Sequence, residues 1–213
     1  MSSSLQSTAS TVRHGAKRAD YQRETVYALL DELLVCQIGQ QVDGRVVVTP
    51  TCHWRDGDYL YWHAHAHARS CAGAAGSQVC INLCSLDGLV MARSAFNHSV
   101  NYRSVTLFGV PEAVTDPAEK LAQLKRFVDR FSSGRWEELR PIRDEEIRAT
   151  SVVRMLISDA SVKVRQGPPV DDKADLEWPV WAGEIRLQRQ WQALADSDNG
   201  SAEPELKVLA SRV

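Results

Sequence analysis

The chain has 213 residues, of which 44% are hydrophobic and 24% charged, with 25 basic and 27 acidic side chains. These fractions are close to the globular average and exclude a wholly disordered, collagen-like or coiled-coil chain, and the length predicts one or at most two domains. The net charge of −2 offers no basic face for nucleic acid, and no apolar run approaches the roughly 20 residues that span a bilayer. We therefore expect a cytoplasmic protein with neither nucleic acid nor a membrane as partner.

The first third of the chain predicts an arm, a helix and three strands. Residues 1–19 are polar and lack periodicity, which predicts a disordered N-terminal arm. A helix follows, with Asp20 as its expected N-cap. Two strands come next, joined by a turn at Asp43–Gly44, and a second turn at residues 55–58 leads into a third strand, YLYWHAHAHA. Three strands joined by short turns indicate an antiparallel meander.

The rest of the chain adds strands and two helices. SQVCINLCSL is predicted as a fourth strand, and the stretch 87–114 contains a long fifth strand with Val105 and Leu107 on one face. Asp116–Pro117 begins a helix that ends before Gly134, and residues 144–150 suit a short helix. SVVRMLISDASVKVR alternates like a sixth strand. Six short strands with interspersed helices predict a mainly β, antiparallel barrel, since the opening hairpins disfavour a parallel α/β fold. We expect one domain over 20–194 and a flexible tail over 195–213.

Three histidines alternate with alanines at the end of the third predicted strand. Because a strand has a period of two, His63, His65 and His67 fall on one face, where they could bind zinc, copper or haem iron with His53 as a fourth ligand. The alternative is a polar strand end that faces solvent or a bound ligand. The chain has five cysteines, an odd number without a second Cys/His pair at zinc-finger spacing, and Cys36, Cys80 and Cys84 in apolar stretches are expected as buried thiols. We expect no dedicated metal site.

Three other segments suit binding. Arg69 and Ser70, followed by a Gly/Ala-rich run, combine a guanidinium and a hydroxyl with backbone amides at a helix start, which favours an anion. The polar run ARSAFNHSVNYRSVTLFG is costly to bury without partners and indicates a binding surface or subunit interface. Trp178 and Trp181, around a proline, are typical of a core or interface. The sequence contains no phosphate loop, dinucleotide fingerprint or nucleophile elbow.

Several segments in this order resemble a known family. They are RADYQRETVYALLDE, VDGRVVVTPT, YLYWHAHAHARS, LDGLVMARSAFNHSVNYRSVTLFG, ASVKVRQGPP and WPVWAG, which together span residues 18 to about 187. The sequence resembles the pyridoxamine 5′-phosphate oxidase-related flavin-binding proteins, in the branch close to nitroimidazole-resistance proteins. The resemblance implies a six-stranded antiparallel FMN-binding split barrel, a homodimer, and one FMN per subunit in the cleft between subunits.

The resemblance also implies a set of cofactor-binding residues. One strand would run along the isoalloxazine edge, mostly through the backbone groups of Val48, Thr49, Pro50 and Thr51. The next strand end and the turn after it would approach the ribityl chain and phosphate, through His63, Ala64, Arg69 and Ser70. A third segment, Asn101, Tyr102, Arg103 and Ser104, would lie near the flavin on the interface side. The HAHAH run replaces the His-Gly-Ser-like turn that is common in the family.

Three functions compete. The first is an FMN-dependent oxidase or reductase of a small molecule, with redox chemistry at the flavin. The second is a flavin-binding protein with little catalysis of its own, such as a sensor or carrier. The third is a haem-handling barrel, for which the histidines are the support. Oxidation of pyridoxamine phosphate itself is not implied, because the resemblance is to the related branch. The catalytic residues and the substrate are not defined by the sequence.

Overall fold

The computed structural model describes residues 3–65 and 76–192. The strands are β1 Ala19–Asp20, β2 Val35–Val42, β3 Arg45–Asp56, β4 Tyr59–His65, β5 Val79–Met91, β6 Ser99–Gly109, β7 Glu112–Ala113, β8 Thr150–Leu156, β9 Ala160–Arg165 and β10 Gly183–Arg186. The helices are α1 Arg23–Glu32, α2 Pro117–Phe131, α3 Arg135–Glu138 and α4 Asp144–Ala149, with short 3₁₀ turns at Ala16–Arg18, Ala95–Asn97 and Lys173–Asp175.

The strands form one antiparallel sheet in the order β1-β9-β6-β5-β2-β3-β4-β8-β7, and β10 adds to β5. The prediction of a mainly β, antiparallel split barrel is confirmed. The strand count exceeds six because β1, β7 and β10 are short additions and because the predicted sixth strand is two strands.

That sixth strand is broken at Ser158–Asp159. Before the break, β8 pairs with β4, and after it β9 pairs with β6, so the two halves lie on different parts of the sheet. The amide of Ile157 donates to the Asp58 carbonyl (2.8 Å) and that of Ala160 to the Leu5 carbonyl (2.9 Å). The alternation of apolar residues continues across the break, so the period alone did not reveal it.

Local turn and cap signals were accurate. Asp43 and Gly44 both have left-handed backbone, with φ of 50° and 75°, and connect the paired residues Val42 and Arg45. Two left-handed central residues match the twist of a hairpin. Helix α2 begins as predicted, with Pro117 in its first turn and the Asp116 carboxylate accepting from the Ala118 amide (3.1 Å).

Helix α1 begins two residues later than a cap at Asp20 implies. Its N-cap is Gln22, while the Asp20 carboxylate accepts from the Gln22 amide (2.9 Å) and the Thr25 hydroxyl (2.6 Å). The hydrogen bond from Thr25 contributes most to lowering the pKa of Asp20. Asp20 therefore braces the first turn from outside the helix.

The N-terminal segment from residue 3 onward contacts the barrel, although its composition predicts a disordered arm. Leu5 is 2% exposed and packs in the main core, and its amide donates to the Tyr21 carbonyl (2.8 Å). The Arg23 amide donates to the Ser3 carbonyl (2.8 Å). One apolar side chain and a few backbone hydrogen bonds hold this polar segment, and composition reports neither. The predicted tail at 195–213 lies outside the described residues.

Two apolar clusters lie on opposite faces of the β3–β4–β8 region. The main cluster fills the barrel and includes Leu30, Ile38, Trp62, Ile81 and Leu107. The second lies between the outer face of these strands and helix α2, and its buried members are Trp54, Tyr61, Val114, Leu124 and Val152. Helix α2 therefore covers the outside of the sheet next to β4. Among the described residues, no helix has both the length and the apolar character needed to cross a membrane.

Candidate cofactor site

Strand β3 changes partners at His53, where β3 and β4 form a fork. Residues 53–56 of β3 pair with residues 59–62 of β4, whereas residues 45–52 pair with β2 and have no other ladder partner among the described residues. The His53 amide donates to the Leu34 carbonyl on the β2 side (3.2 Å). Because backbone groups alternate along a strand, the amides of Val48 and Cys52 point to the opposite, unpaired edge. Pro50 falls on the same edge and has no amide hydrogen to leave unpaired.

This open edge of β3 contains the predicted residues Val48, Thr49, Pro50 and Thr51. An unpaired strand edge presents a row of amide donors and carbonyl acceptors at fixed spacing. Here the donors are the Val48 and Cys52 amides and the acceptors are the carbonyls of Val48 and Pro50, whereas the Cys52 carbonyl already accepts from the Thr51 hydroxyl (3.4 Å). Such an edge can hydrogen-bond a planar heterocycle that carries both donors and acceptors along one side.

Strand β4 continues past the fork toward β8 and places His63 on the outer face. The His63 ring packs against Phe127 of α2, with centroids 4.4 Å apart, and near Trp54 at 5.9 Å. Ala64 points the other way, against the main core. His65 shares the outer face with His63 by strand alternation and lies exposed at the end of β4.

The His63 imidazole is set up to be neutral. Its Nδ1 atom is buried and makes no hydrogen bond within the described part of the chain. Burial lowers the pKa of His63, because desolvation disfavours the charged ring. A neutral imidazole with an unused nitrogen is the form that binds metal ions.

An aromatic surface continues from His63 along helix α2. Phe127 and Phe131 have ring centroids 4.9 Å apart and nearly perpendicular planes, and Phe131 is 40% exposed. Helix α2 runs beside β4 in the same direction, since Gln123 contacts Trp54 and Phe127 contacts His63. One helical turn and two strand residues advance by similar lengths, so His65 lies toward the Phe131 end.

His53 does not belong to this histidine group. It lies opposite Trp62 in the ladder and is fully buried, whereas His63 projects from the other face of the sheet. Its Nε2 atom donates to the Leu30 carbonyl (3.0 Å), and burial lowers its pKa to about 3. The suggestion of His53 as a fourth ligand was wrong, because sequence spacing did not show that the ladder separates the two rings. His67, Arg69 and Ser70 lie outside the described residues. Within those described, no three His, Cys, Asp or Glu side chains converge as a metal site.

The predicted segment Asn101–Ser104 lies on β6, away from the fork, and its polar groups have protein partners. Arg103 donates to both carboxylate oxygens of Asp87 (2.8 and 2.9 Å) and also pairs with Glu32. The Ser104 hydroxyl donates to the Lys163 carbonyl (3.3 Å), and Tyr102 is half-buried between its ladder partners. The charge of Arg103 is thus already balanced by two carboxylates.

Asn101 joins a buried network that the sequence did not indicate. Its amide donates to Glu184 (2.6 Å) and its oxygen accepts from Arg165, whose guanidinium also donates to the carbonyls of Gly167 (2.6 Å) and Pro168 (3.1 Å). The network fastens a C-terminal strap, defined here as residues 167–187, to β6. Charged residues 64 and 83 positions from Asn101 carry no local sequence signal for this contact.

The strap runs antiparallel alongside the end of β5 and presents aromatic residues outward. Strand β10 pairs with residues 88–91 of β5, and a Cβ atom at Gly88 would lie 2.6 Å from the Ile185 carbonyl oxygen. Glycine is therefore required at position 88, where β10 pairs with β5. Trp178 and Trp181 are 67% and 62% exposed, so the expected burial of these indoles does not occur within one chain.

Comparisons with known proteins agree with this architecture. A family model described as pyridoxamine 5′-phosphate oxidase matches residues 22–164. A comparison with functionally curated proteins gave no match.

Solved structures give closer matches. The flavocytochrome Anf3 from Azotobacter vinelandii is 40% identical, with 93% of this chain and 94% of that chain covered and a TM-score of 0.89. An FAD- and haem-binding protein from Mycobacterium smegmatis is 32% identical, with 87% and 91% covered and a TM-score of 0.81. A candidate 5-nitroimidazole antibiotic resistance protein from Bacteroides thetaiotaomicron is 18% identical, covers 68% and 86%, and shares the fold with a TM-score of 0.54.

The family match covers two thirds of the chain, and it includes the β2–β3 hairpin, the fork and both strands of the broken sixth segment. The resemblance expected from the sequence is confirmed. The chain belongs to the pyridoxamine 5′-phosphate oxidase family of flavin-binding split-barrel proteins.

Proposed function

We propose that this protein is a redox protein that binds a flavin along the open edge of β3 and a haem beside His63 and His65. The observation that carries the proposal is the fork itself. Where β4 leaves β3, it opens the β3 edge on one side and carries the histidines to the aromatic surface of α2 on the other. One local feature thus creates two different binding surfaces next to each other.

The open edge fits the flavin through its backbone groups. The Val48 and Cys52 amides and the carbonyls between them match the donors and acceptors along the edge of an isoalloxazine ring. The ladder to β2 holds this strand in register through eight residue pairs, so the groups are already in place before binding. Preorganised contacts reduce the entropy cost of binding.

The family resemblance and the similar structures indicate different flavins. The family resemblance implies FMN, whereas the similar M. smegmatis protein is named for FAD and haem. We propose FAD, because the M. smegmatis protein matches along 87% of this chain, and the name of the A. vinelandii flavocytochrome does not distinguish FAD from FMN.

The fit to a haem depends on His63 and its surroundings. The neutral state of the His63 ring would suit a histidine that holds haem iron, and His65 offers a second imidazole on the same face. Phe127 and Phe131 supply apolar surface for a porphyrin. When bound, a flavin exchanges two electrons with a small molecule and a haem exchanges one, so the pair would join two-electron to one-electron chemistry.

We also propose that the working form is a homodimer. Within residues 178–187 the strap leaves five large apolar side chains exposed, and monomeric proteins rarely expose apolar patches of this extent. A two-fold axis would cover such a patch from both chains at once. The residues are Trp178, Val180, Trp181, Ile185 and Leu187.

Titration of the full-length apoprotein tests the two cofactors separately. FAD, FMN and riboflavin are added in parallel and followed by quenching of flavin fluorescence, and hemin is then added and followed by its absorption. We expect FAD to bind most tightly and hemin to bind to the flavin-loaded protein. Tighter binding of FMN would contradict the choice of FAD, and a protein that takes up hemin but no flavin would contradict the proposal as a whole.

A further inference from the structure

Two polar contacts that helix α2 makes with neighbouring elements lie on either side of Phe127 in the sequence. At the first, Gln123 is 5% exposed, accepts from the Trp54 indole (2.8 Å) and donates to the Asp56 carboxylate (2.8 Å). A buried amide satisfied from both sides holds one geometry, because any shift leaves a buried polar group unpaired. This contact fixes the middle of the helix to β3 beyond the fork.

The second contact is made by Arg130 near the end of α2. Its Nη2 atom donates to the carbonyls of Leu30 (2.8 Å), Leu33 (2.7 Å) and Asp31 (3.2 Å). These carbonyls end helix α1, where the last turn leaves acceptors without intrahelical partners. A cation at a helix C-terminus is also favoured by the helix dipole. Arg130 therefore caps α1 from another helix.

The guanidinium of Arg130 is partly buried and makes no ion pair with a carboxylate of the described residues. Within the described residues no carboxylate oxygen lies within ion-pair distance of it, and its Nε atom is buried with no hydrogen bond. Burial lowers the pKa of Arg130, as desolvation disfavours its charge. Holding a partly buried charge against neutral carbonyls costs desolvation free energy that no carboxylate partner offsets. The arrangement indicates that the position of this group matters beyond stability.

The contacts of Arg130 reach both proposed cofactor surfaces. The Leu30 carbonyl that it binds also accepts from His53, which lies at the fork directly after Cys52 of the open edge. On its own helix, Phe127 is three residues earlier, between the two fixed points, and contacts His63. One side chain thus touches the element that bears the fork and the element that supports the histidine.

We propose that Arg130 is a positioning residue that holds α2 and the fork together, so that Phe127 orients the His63 ring while His53 fixes the open edge of β3. The inference rests on the proposed function, with its flavin and haem surfaces. It extends that proposal by naming the group that sets the relative placement of the two surfaces. Arg130 touches neither cofactor surface directly. It acts through the Leu30 carbonyl and through Phe127.

The test compares Arg130→Met, which keeps the length and removes the charge, with Arg130→Lys, which can still donate to part of the carbonyl cluster. The matched control is Arg126→Met on the same helix, where the arginine is 58% exposed and pairs with Asp56. Each full-length variant is measured for FAD dissociation constant, for the absorption and electron paramagnetic resonance spectra with hemin, and for the imidazole signals of His63 in the apoprotein.

We expect Arg130→Met to weaken FAD binding by about 2- to 30-fold, the range typical of coupling through intervening residues. It should also shift the hemin spectra and the His63 signals, with partial recovery in Arg130→Lys and no change in Arg126→Met. A lower unfolding midpoint with an unchanged FAD constant, hemin spectrum and His63 signal would show a merely structural role and overturn the inference.

Two further outcomes keep the inference separate from the proposed function. If the unaltered protein binds no hemin, the haem proposal fails, and the His63 signals together with the FAD constant still decide the role of Arg130. If Arg130→Met does not fold, Arg130→Lys and Phe127→Leu replace it. Phe127→Leu should then change the His63 signals and leave the FAD constant within about twofold, and no change in the His63 signals would overturn the inference.

Discussion

The Phe127 ring meets the His63 imidazole in an edge-on contact, with centroids 4.4 Å apart and planes at 65°. Edge-to-face contacts between rings are worth about 0.5–1.5 kcal/mol beyond the area that they bury. This contact selects one orientation for a histidine that a strand end would otherwise leave free to rotate. The His63 side chain therefore lies outside the barrel interior, on the surface that β4 shares with α2.

Replacing His63 tests its proposed role as a haem ligand. His63→Ala should weaken hemin binding by about 10- to 100-fold or more, because the imidazole proposed to hold the iron is removed, and should leave FAD binding unchanged. The control is His98→Ala, which removes an exposed histidine whose Nδ1 contacts the Ser94 carbonyl (2.8 Å). Equal hemin affinity in His63→Ala and His98→Ala would rule out this assignment.

The open edge of β3 is tested by removing one amide hydrogen. Val48→Pro deletes a donor on the unpaired side, so FAD affinity should fall by about 2- to 13-fold, the value of one hydrogen bond of about 0.5–1.5 kcal/mol. Val47→Pro deletes an amide that faces β2, and should instead lower the free energy of unfolding. The reverse result, with Val47→Pro folded normally and Val48→Pro binding FAD normally, would place the cofactor elsewhere.

The buried His53 predicts loss of stability in acid. Its pKa is lowered to about 3 in the folded protein, below the value near 6.5 of an unfolded histidine, so the unfolded chain binds the extra proton. The stabilising contribution of neutral His53 is therefore fully present above pH 6.5. As pH decreases toward 3, the free energy of unfolding falls by up to about 1.4 kcal/mol per pH unit. Urea unfolding midpoints between pH 7.5 and 4.5 measure this. His53→Gln, which can still donate to Leu30, should show a flatter curve, and an identical slope would remove His53 as the cause.

The pairing of the strap with β5 depends on Gly88. Gly88→Ala would place a Cβ atom 2.6 Å from a backbone oxygen of Ile185, so β10 must move and its amides should exchange faster with deuterium. Gly39→Ala is the control, since its nearest contact would be 3.4 Å from the Cys80 oxygen. Protection of β10 that survives in Gly88→Ala would mean that the strap packs differently.

The proposed dimer is measured by light scattering at micromolar concentration. Trp178→Asp places a charge on the exposed strap and should shift the protein toward a monomer, since a buried, unpaired charge opposes association. Leu139→Asp puts the same charge on an exposed apolar residue of another surface and should leave the dimer intact. A monomeric unaltered protein that still binds flavin would contradict the dimer.

The fold was accessible from local sequence signals, whereas the site was accessible only in part. Alternation defined strands β2 to β4, and Asp43–Gly44 and Asp116–Pro117 marked a turn and a helix start, because these depend on neighbouring residues. The break at Ser158–Asp159 was missed, since the apolar period runs through it. Leu5 was missed because a single apolar residue in a polar segment has no pattern.

The residues of the site show the same division between local and distant contacts. The resemblance directed attention to residues 48–51 and to His63, but the face that His63 occupies depends on where β4 leaves β3. Arg130 and Arg165 each have a partner that is distant in sequence, the Leu30 carbonyl for Arg130 and the Asn101 side chain for Arg165. No spacing along the chain encodes such contacts, so they required the tertiary structure.

The claim that one chain binds both a flavin and a haem is tested most directly by the absorption spectrum of the protein purified without a histidine tag from cells supplied with haem. We predict flavin bands and a Soret band in the same chromatographic fraction, with about one flavin per chain. Flavin bands without a Soret band, even after hemin is added to the purified protein, would contradict the account.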